Sequence, residues 1–312
     1  MKKSDALRAS ISLGSDGLRY LELADTTSGF RYVRSGWVPP QERALNQDMV
    51  GDGAALAASL ERLRDSLGGM ASSVAVGLPS RDVLIRLVEM PPLSVDDARE
   101  ALRWDFEKHF PFSINDAAFD LAPVEMPGNG GSTEAEKATF LVAACRLGLS
   151  EMIVTAVEDL GIDVAALEPL NMAAFRAGLG PARRYQSGFL QVHVGAETSE
   201  IMVGYHEKGI LFRTVMSGYS GGHEALNALS REVAATRSFA KSRFRDLTIE
   251  EIVVTGLARD AAAFRADLAG DGTVPVVSRP LEEVWAVACP PDKEGLCEGW
   301  EPSLGLCMRE RS

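Results

Sequence analysis

Histidine and cysteine are scarce in this chain, with four of each in 312 residues. Cys145, Cys289, Cys297 and Cys307 form no Cys-x-x-Cys pair, and so few imidazoles and thiols leave a zinc centre without a ligand set. The last three cysteines fall within nineteen residues. Free thiols in a reducing cytoplasm are expected, with a disulfide or redox pair as the alternative. Long apolar runs are missing too. Stretches such as Phe140 to Cys145 reach six residues, whereas a membrane-spanning helix needs about 20. Lys2 and Lys3 are followed by no apolar segment of the secretory kind, so no leader is expected. Basic charge is in deficit: 32 Lys and Arg against 44 Asp and Glu give a net charge of −12. That excludes a free nucleic-acid binder, which needs a cationic face for phosphates, and a generally cationic membrane-surface protein. The nucleotide and hydrolase signatures Gly-x-x-x-x-Gly-Lys-Ser/Thr, Gly-x-Gly-x-x-Gly and Gly-x-Ser-x-Gly do not occur; Ser187-Gly and Ser217-Gly-Tyr-Ser-Gly221 make no nucleophile elbow.

What is present is an ordinary globular composition, 46% apolar and 24% charged, at a length that suggests about two domains of roughly 100–200 residues. Residues 9–24 alternate around Gly14-Ser-Asp-Gly17, a hairpin with its turn at the glycines. A third strand is predicted over 29–38 and stops at Pro39-Pro40. Leu56, Leu60, Leu63 and Leu67 mark one face of a helix over 53–67, which Gly68-Gly69 ends. A short strand over 73–79 follows.

The next stretch reads as an inserted unit of strand, helix, strand, strand and helix. Its first strand covers 83–89. Ser94 with Asp97 approximates a capping box, and Ala98, Leu102, Phe106 and Phe110 recur on one helical face. Strands are predicted near 117–125 and 138–145, around a loop at 127–133, and Ser150 is expected to cap a second helix that ends at Gly161. A strand over 164–167 and a helix over 170–177 lead to a boundary at Gly178 to Pro181. The second half holds strands over 189–194, 201–203, 209–215, 251–256 and 274–277. Its helices are predicted over 222–243 and 261–268. The basic cluster from Arg231 to Arg245 is either the solvated end of the long helix or an interaction face.

The chain carries an internal echo. Ser12-Leu-Gly-Ser-Asp-Gly-Leu18 opens the first half and His193-Val-Gly-Ala-Glu-Thr-Ser-Glu-Ile201 opens the second, with Gly14 and Gly195 separated by 181 residues. Two facing glycine hairpins, with a third glycine turn at Thr255-Gly256, can cradle the phosphates of one nucleotide between two domains. In these features the sequence resembles the actin-like ATPase superfamily and, within it, the type IV pilus assembly protein PilM family, related to FtsA. Ala75-Val-Gly-Leu-Pro79, Ile85-Arg-Leu-Val-Glu-Met-Pro91, Trp104-Asp-Phe-Glu-Lys-His-Phe-Pro-Phe112, Leu141-Val-Ala-Ala-Cys145, Glu158 to Glu168 and Ser303 to Arg309 follow the family's order and spacing. The cytoplasmic domain of the type II secretion protein GspL has a similar plan.

The resemblance implies an α/β, actin-like (ribonuclease-H-like) two-domain fold with an inserted FtsA-type subdomain. Residues 1–80 and 164–182 would form the first actin-like subdomain, 81–163 the insert, and 183–312 the second domain with a helical part near 220–248. It implies a cytoplasmic adaptor, peripheral to the inner membrane, that binds the N-terminal cytoplasmic tail of a PilN-like membrane protein, or of a GspM-like platform protein. The anchor would then belong to the partner. The groove for that tail would involve strand 83–90 and helix 98–112, with Phe106, Phe110 and Phe112 as apolar anchors; the alternative for these rings is the subdomain core.

The implied nucleotide site comprises Ser12, Gly14, Ser15, Asp16, Glu168, Gly195, Ala196, Glu197, Thr198 and Gly256. It departs from the family pattern at three places. Ser12 and His193 stand where the superfamily has aspartates, and neither brings the hard anionic oxygen that magnesium prefers. Leu257 follows the single Gly256 where a glycine pair is usual, and a branched residue there obstructs close backbone approach. No cofactor is therefore expected, with ATP and magnesium as the alternative if Asp16, Glu197 or Glu168 compensates. The competing functions are an active ATPase or sugar kinase of the same fold, which needs acids for metal positioning, and a filament-forming relative. The tail from Cys297 to Ser312, with Gly299, Pro302 and Gly305, is unsuited to an amphipathic membrane helix.

Overall fold

The first hairpin is built by alternation. Strand β1 (Leu7–Gly14) pairs antiparallel with β2 (Gly17–Asp25), from Leu7 opposite Ala24 to Gly14 opposite Gly17. Strand β3 (Phe30–Val38) completes an antiparallel meander. Helix α1 (Gly53–Ser66) starts at Asp52, whose carboxylate accepts from the Ala55 amide, and then β4 (Ser73–Leu78) runs parallel to β1. The second half repeats this plan. Strands β9 (Gly188–Val194), β10 (Ser199–Tyr205) and β11 (Lys208–Val215) form an antiparallel meander, and β12 (Ile249–Thr255) lies parallel to β9. The computed structural model describes residues 7–14, 16–128, 137–180, 184–244, 246–256, 261–269, 272–278, 284–288 and 299–309.

Apart from the edge strand β14 of the first, the two sheets share one strand order. The first is β14-β3-β2-β1-β4-β8, with β8 (Asp163–Pro169) and β14 (Val287–Ala288); the second is β11-β10-β9-β12-β13, with β13 (Val276–Val277). The fold is therefore a duplicated α/β unit, and the 181-residue echo is its trace in the sequence. Each sheet has its own core. Ile11, Leu13 and Val76 pack under Leu56, Leu60 and Leu63 of α1, while Leu190, Val192 and Ile201 pack under Leu226, Leu229 and Val233 of α5 (Gly222–Arg243). Helix α6 (Ala261–Ala269) contributes Phe264 to that second core. Helix α4 (Leu170–Leu179) carries the chain from one half to the other and ends at Gly180, whose φ of 73° favours glycine.

The inserted unit is a three-stranded antiparallel sheet, β5 (Leu84–Met90), β7 (Ala138–Arg146) and β6 (Ala117–Val124), covered by α2 (Val95–His109). Ser94 caps α2 by accepting from the Asp97 amide, as the sequence predicts. Ser150 does not cap α3. That helix runs Leu147–Glu158 from Arg146, and the Ser150 hydroxyl, inside the first turn, donates back to the Leu147 carbonyl. Ile153, Ala156 and Val157 of α3 join the first core beside α1, so α3 belongs by packing to the first half although it lies within 81–163.

The boundary drawn for the second domain, 183–312, also requires correction. Val287 in β14 pairs with Phe30 in β3, and α7 (Glu301–Cys307) buries Leu304, Leu306 and Cys307 against β1, β4 and α4. The last described residues thus return to the first half. Gly305 permits the close crossing of α7 and α4, since a Cβ there would sit 1.8 Å from the Ala173 carbonyl oxygen. Cys145 and Cys307 are buried free thiols; Cys289 and Cys297 lie outside the described residues. No described helix is long and apolar enough to cross a membrane.

Candidate functional site

A cavity of about 440 Å³ lies between the two halves. The two hairpin turns face into it through Gly14 and Asp16 on one side and Gly195, Ala196 and Thr198 on the other; Gly256 closes a third edge. This is the juxtaposition that the echo predicts. Its wall is set by register. Ser12 stands opposite Arg19 in the first hairpin and His193 opposite Glu200 in the second. The same 181-residue offset relates Ser12 to His193 and Arg19 to Glu200, so the two pairs occupy equivalent places on the two walls.

The polar groups of the cavity are mostly bound to one another. Arg19 Nη1 and Nη2 donate to both carboxylate oxygens of Asp16, at 2.9 and 2.7 Å. Burial alone would lower the guanidinium, but this pairing holds it firmly charged. Ser12 Oγ lies 2.7 Å from Ser303 Oγ of α7. His193 Nδ1 is 3.2 Å from Thr255 Oγ1. Desolvation pushes the His193 ring down to about 4, against the weaker opposing pull of Asp16 and Asp48, so the imidazole is neutral near pH 7. Thr198 Oγ1 donates to the Asp48 carboxylate across the two halves. Glu200 Oε2 accepts from Thr214 Oγ1 at 2.8 Å, with Ser80 and Asn171 as further donors; burial outweighs them and raises this carboxyl to about 7. Among the described residues, no group of three or more His, Cys, Asp or Glu is arranged to hold a metal ion.

The turn glycines are accounted for by the chain itself. A Cβ on Gly195 would lie 2.6 Å from the Thr198 carbonyl oxygen. On Gly256, at φ 86°, it would meet the Val194 carbonyl at 2.4 Å and the His193 ring at 3.0 Å. These positions need glycine with or without a ligand.

Other expected site residues fall elsewhere. Glu168 does not line the cavity. Its carboxylate is buried in a two-point ion pair with Arg176, at 2.5 and 3.1 Å, which itself donates to the Gly305 carbonyl. Glu197 is exposed and also absent from the cavity wall. Ser15 and Leu257 lie outside the described residues. Sequence reasoning passed over Arg19, Asp48, Ser80, Glu200 and Tyr219, all of which line the cavity. Arg19 and Glu200 were readable, as the cross-strand partners of Ser12 and His193. Asp48 was not: it enters from a loop in which Gln47 and Asp48 take positive φ, far from either hairpin in sequence.

The three phenylalanines separate. Phe106 and Phe110 are 1% and 2% exposed in the core of the inserted unit, stacked at 4.7 Å between ring centroids. As partner anchors they are corrected, because the core covers both rings. Phe112 is half-buried, with Arg146 5.4 Å above its ring. The outward face of α2 instead displays Trp104, 89% exposed.

A family model described as type IV pilus assembly protein PilM matches residues 10–240. The chain belongs to the PilM family. No curated protein matches the chain. Among solved structures, the PilM-like chain superposes on a protein of a PilM–PilN type IV pilus biogenesis complex with a TM-score of 0.79 at 19% identity, covering 98% of each chain. The cytoplasmic domain of EpsL, an inner-membrane component of the type II secretion system of Vibrio cholerae, gives 0.50 at 15% identity, with 91% and 93% covered. The ethanolamine utilization protein EutJ from Carboxydothermus hydrogenoformans gives 0.51 at 12%, with 98% and 90% covered. These likenesses extend the actin-like ATPase fold to this PilM-family member.

Proposed function

We propose that this PilM-family protein is a cytoplasmic adaptor of a type IV pilus assembly platform, held at the inner membrane by the N-terminal tail of a PilN-like protein. The observation that carries this reading is the near-complete superposition, inserted unit included, on a chain from a PilM–PilN complex. In this reading the tail sits between the first half and the inserted unit, and half-buried Phe112 is its candidate contact.

The cavity between the halves is, in this reading, a degenerate nucleotide site. Magnesium and ATP are the groups the fold family implies, and the donor set does not fit them. Ser12 bonds Ser303, His193 is neutral, Asp16 is spent on Arg19 and Asp48 on Thr198. A hard divalent cation needs anionic oxygens that are free to turn toward it. No chemical step is therefore assigned to the cavity.

Two calorimetric titrations test the two parts separately. A PilN-like tail peptide is expected to bind the intact chain, and Phe112→Ala to weaken it; unchanged affinity removes Phe112 from the groove. ATP with magnesium is expected to give no heat of binding. Micromolar binding would restore the site as a nucleotide site and leave the peptide result standing.

A further inference from the structure

The long helix α5 carries a surface that neither the cavity nor the tail groove uses. Helix α5 carries Arg231, Arg237, Lys241 and Arg243 against two carboxylates, Glu224 in its first turn and Glu232, in a chain whose overall charge is −12. Glu232 is already committed to Arg213 of β11 at 2.6 Å. Arg243 lies 3.8 Å from Glu89 of the inserted unit. Arg231, Arg237 and Lys241 make no ion pair with a described residue. Leu226, Leu229, Val233, Thr236 and Ala240 face the core. The opposite face therefore presents Ala234, Ala235, Ser238 and Ser242, all exposed, between Arg231 and Lys241. Phe239, 54% exposed and the most exposed phenylalanine among the described residues, stands at one flank of that face and Lys241 at the other.

A core of small residues with a ring and two long cations standing out from it is convex. It offers no groove for a peptide, but it suits a plane. The cations reach anionic headgroups while the single ring enters the interface between headgroups and acyl chains. We propose that the outward face of α5, through Phe239, Arg231 and Lys241, is a direct docking surface for an anionic lipid bilayer. It works independently of the tail groove. The rest of the acidic surface opposes such contact, so the patch also fixes which side of the molecule faces the membrane. Attraction of this kind decays within a Debye length of about 8 Å at physiological salt, so it requires this face to lie against the bilayer.

Vesicle flotation with the full chain tests the proposal. The protein is expected to float with phosphatidylcholine vesicles containing about a third phosphatidylglycerol and not with phosphatidylcholine alone; raised salt should release it. Arg231→Glu with Lys241→Glu should lower the bound fraction by about tenfold or more, since each cation near the surface contributes comparably. Phe239→Ala should lower it at unchanged salt dependence. Lys208→Glu, an exposed cation on β11, should leave binding intact. Circular dichroism and the unfolding midpoint identify any variant that fails to fold, and Phe239→Ala, with no charge change, then serves alone. Absence of flotation with anionic vesicles overturns the proposal, and so does binding indifferent to the α5 variants. Tail-peptide affinity, measured on the same variants, is expected to stay unchanged.

Discussion

Glu200 shows what burial does to one carboxyl. Its side chain stays neutral up to about 7, against 4.5 when exposed, because the cost of desolvating the charge outweighs its hydroxyl and amide donors. Between those values the unfolded chain releases a proton that the folded chain keeps. Stability from this group therefore falls as pH rises from about 4.5 to about 7, and above that range the full cost, on the order of 3 kcal/mol, is carried. Glu200→Gln keeps the shape and removes the ionisation. Urea denaturation at pH 5 and pH 8 should show the variant gaining on the wild type as pH rises. Parallel stability profiles would mean that the folded protein solvates this carboxylate after all. Legibility at this scale was uneven. The glycines and Ser12 and His193 could be placed from the echo alone. Asp48 and Ser80 could not, because tertiary folding brings them to the cavity without any local pattern.

Helix α2 separates two roles that one apolar stripe suggests together. The spacing of Ala98, Leu102, Phe106 and Phe110 identifies a buried face, and that face is consumed by the three-stranded sheet beneath it. Periodicity reports which residues share a side but not what covers that side, which is why core residues could be read as anchors for a partner. Phe106→Ala should destabilise the protein by about 3–5 kcal/mol through the lost ring and the cavity left behind. Trp104→Ala, on the exposed face, should change stability by no more than about 0.5 kcal/mol. Chemical denaturation of the two variants side by side checks this. A small effect at Phe106 would show that the inserted unit repacks freely. The same limit explains α3, whose extent is broadly legible but whose core is not. Its Ile153, Ala156 and Val157 form an apolar face that could serve either the insert or the first half.

Among the described residues, hydrogen bonds join the halves across the cavity at Thr198 to Asp48, Glu200 to Ser80 and to Asn171, and the Gly256 amide to Glu301 Oε1 at 2.8 Å. The last is the most informative, because Glu301 belongs to α7. This short helix is buried in the first half yet supplies an acceptor to the end of β12 in the second. Such a return is hard to read from sequence. Seven helical residues and a two-residue strand are too short for any hydrophobic period, and only the family's order of segments hints at it. The inserted unit adds a further joint. Leu87, Val124 and Met126 pack on the second core, and Glu125 pairs with His206 at 3.5 Å. The halves are thus braced on two sides, and the cavity opens only if one brace gives. Glu301→Ala tests which brace matters. It leaves the Gly256 N–H without its acceptor while sparing both cores. Amide exchange at Gly256 should speed up by about tenfold, the equivalent of one net hydrogen bond. Amides of β9 and β10, inside the second sheet, should keep their protection. If Gly256 keeps its protection as well, the carboxylate of α7 is a passenger in the joint, and the insert together with the Asp48 and Glu200 contacts holds the halves.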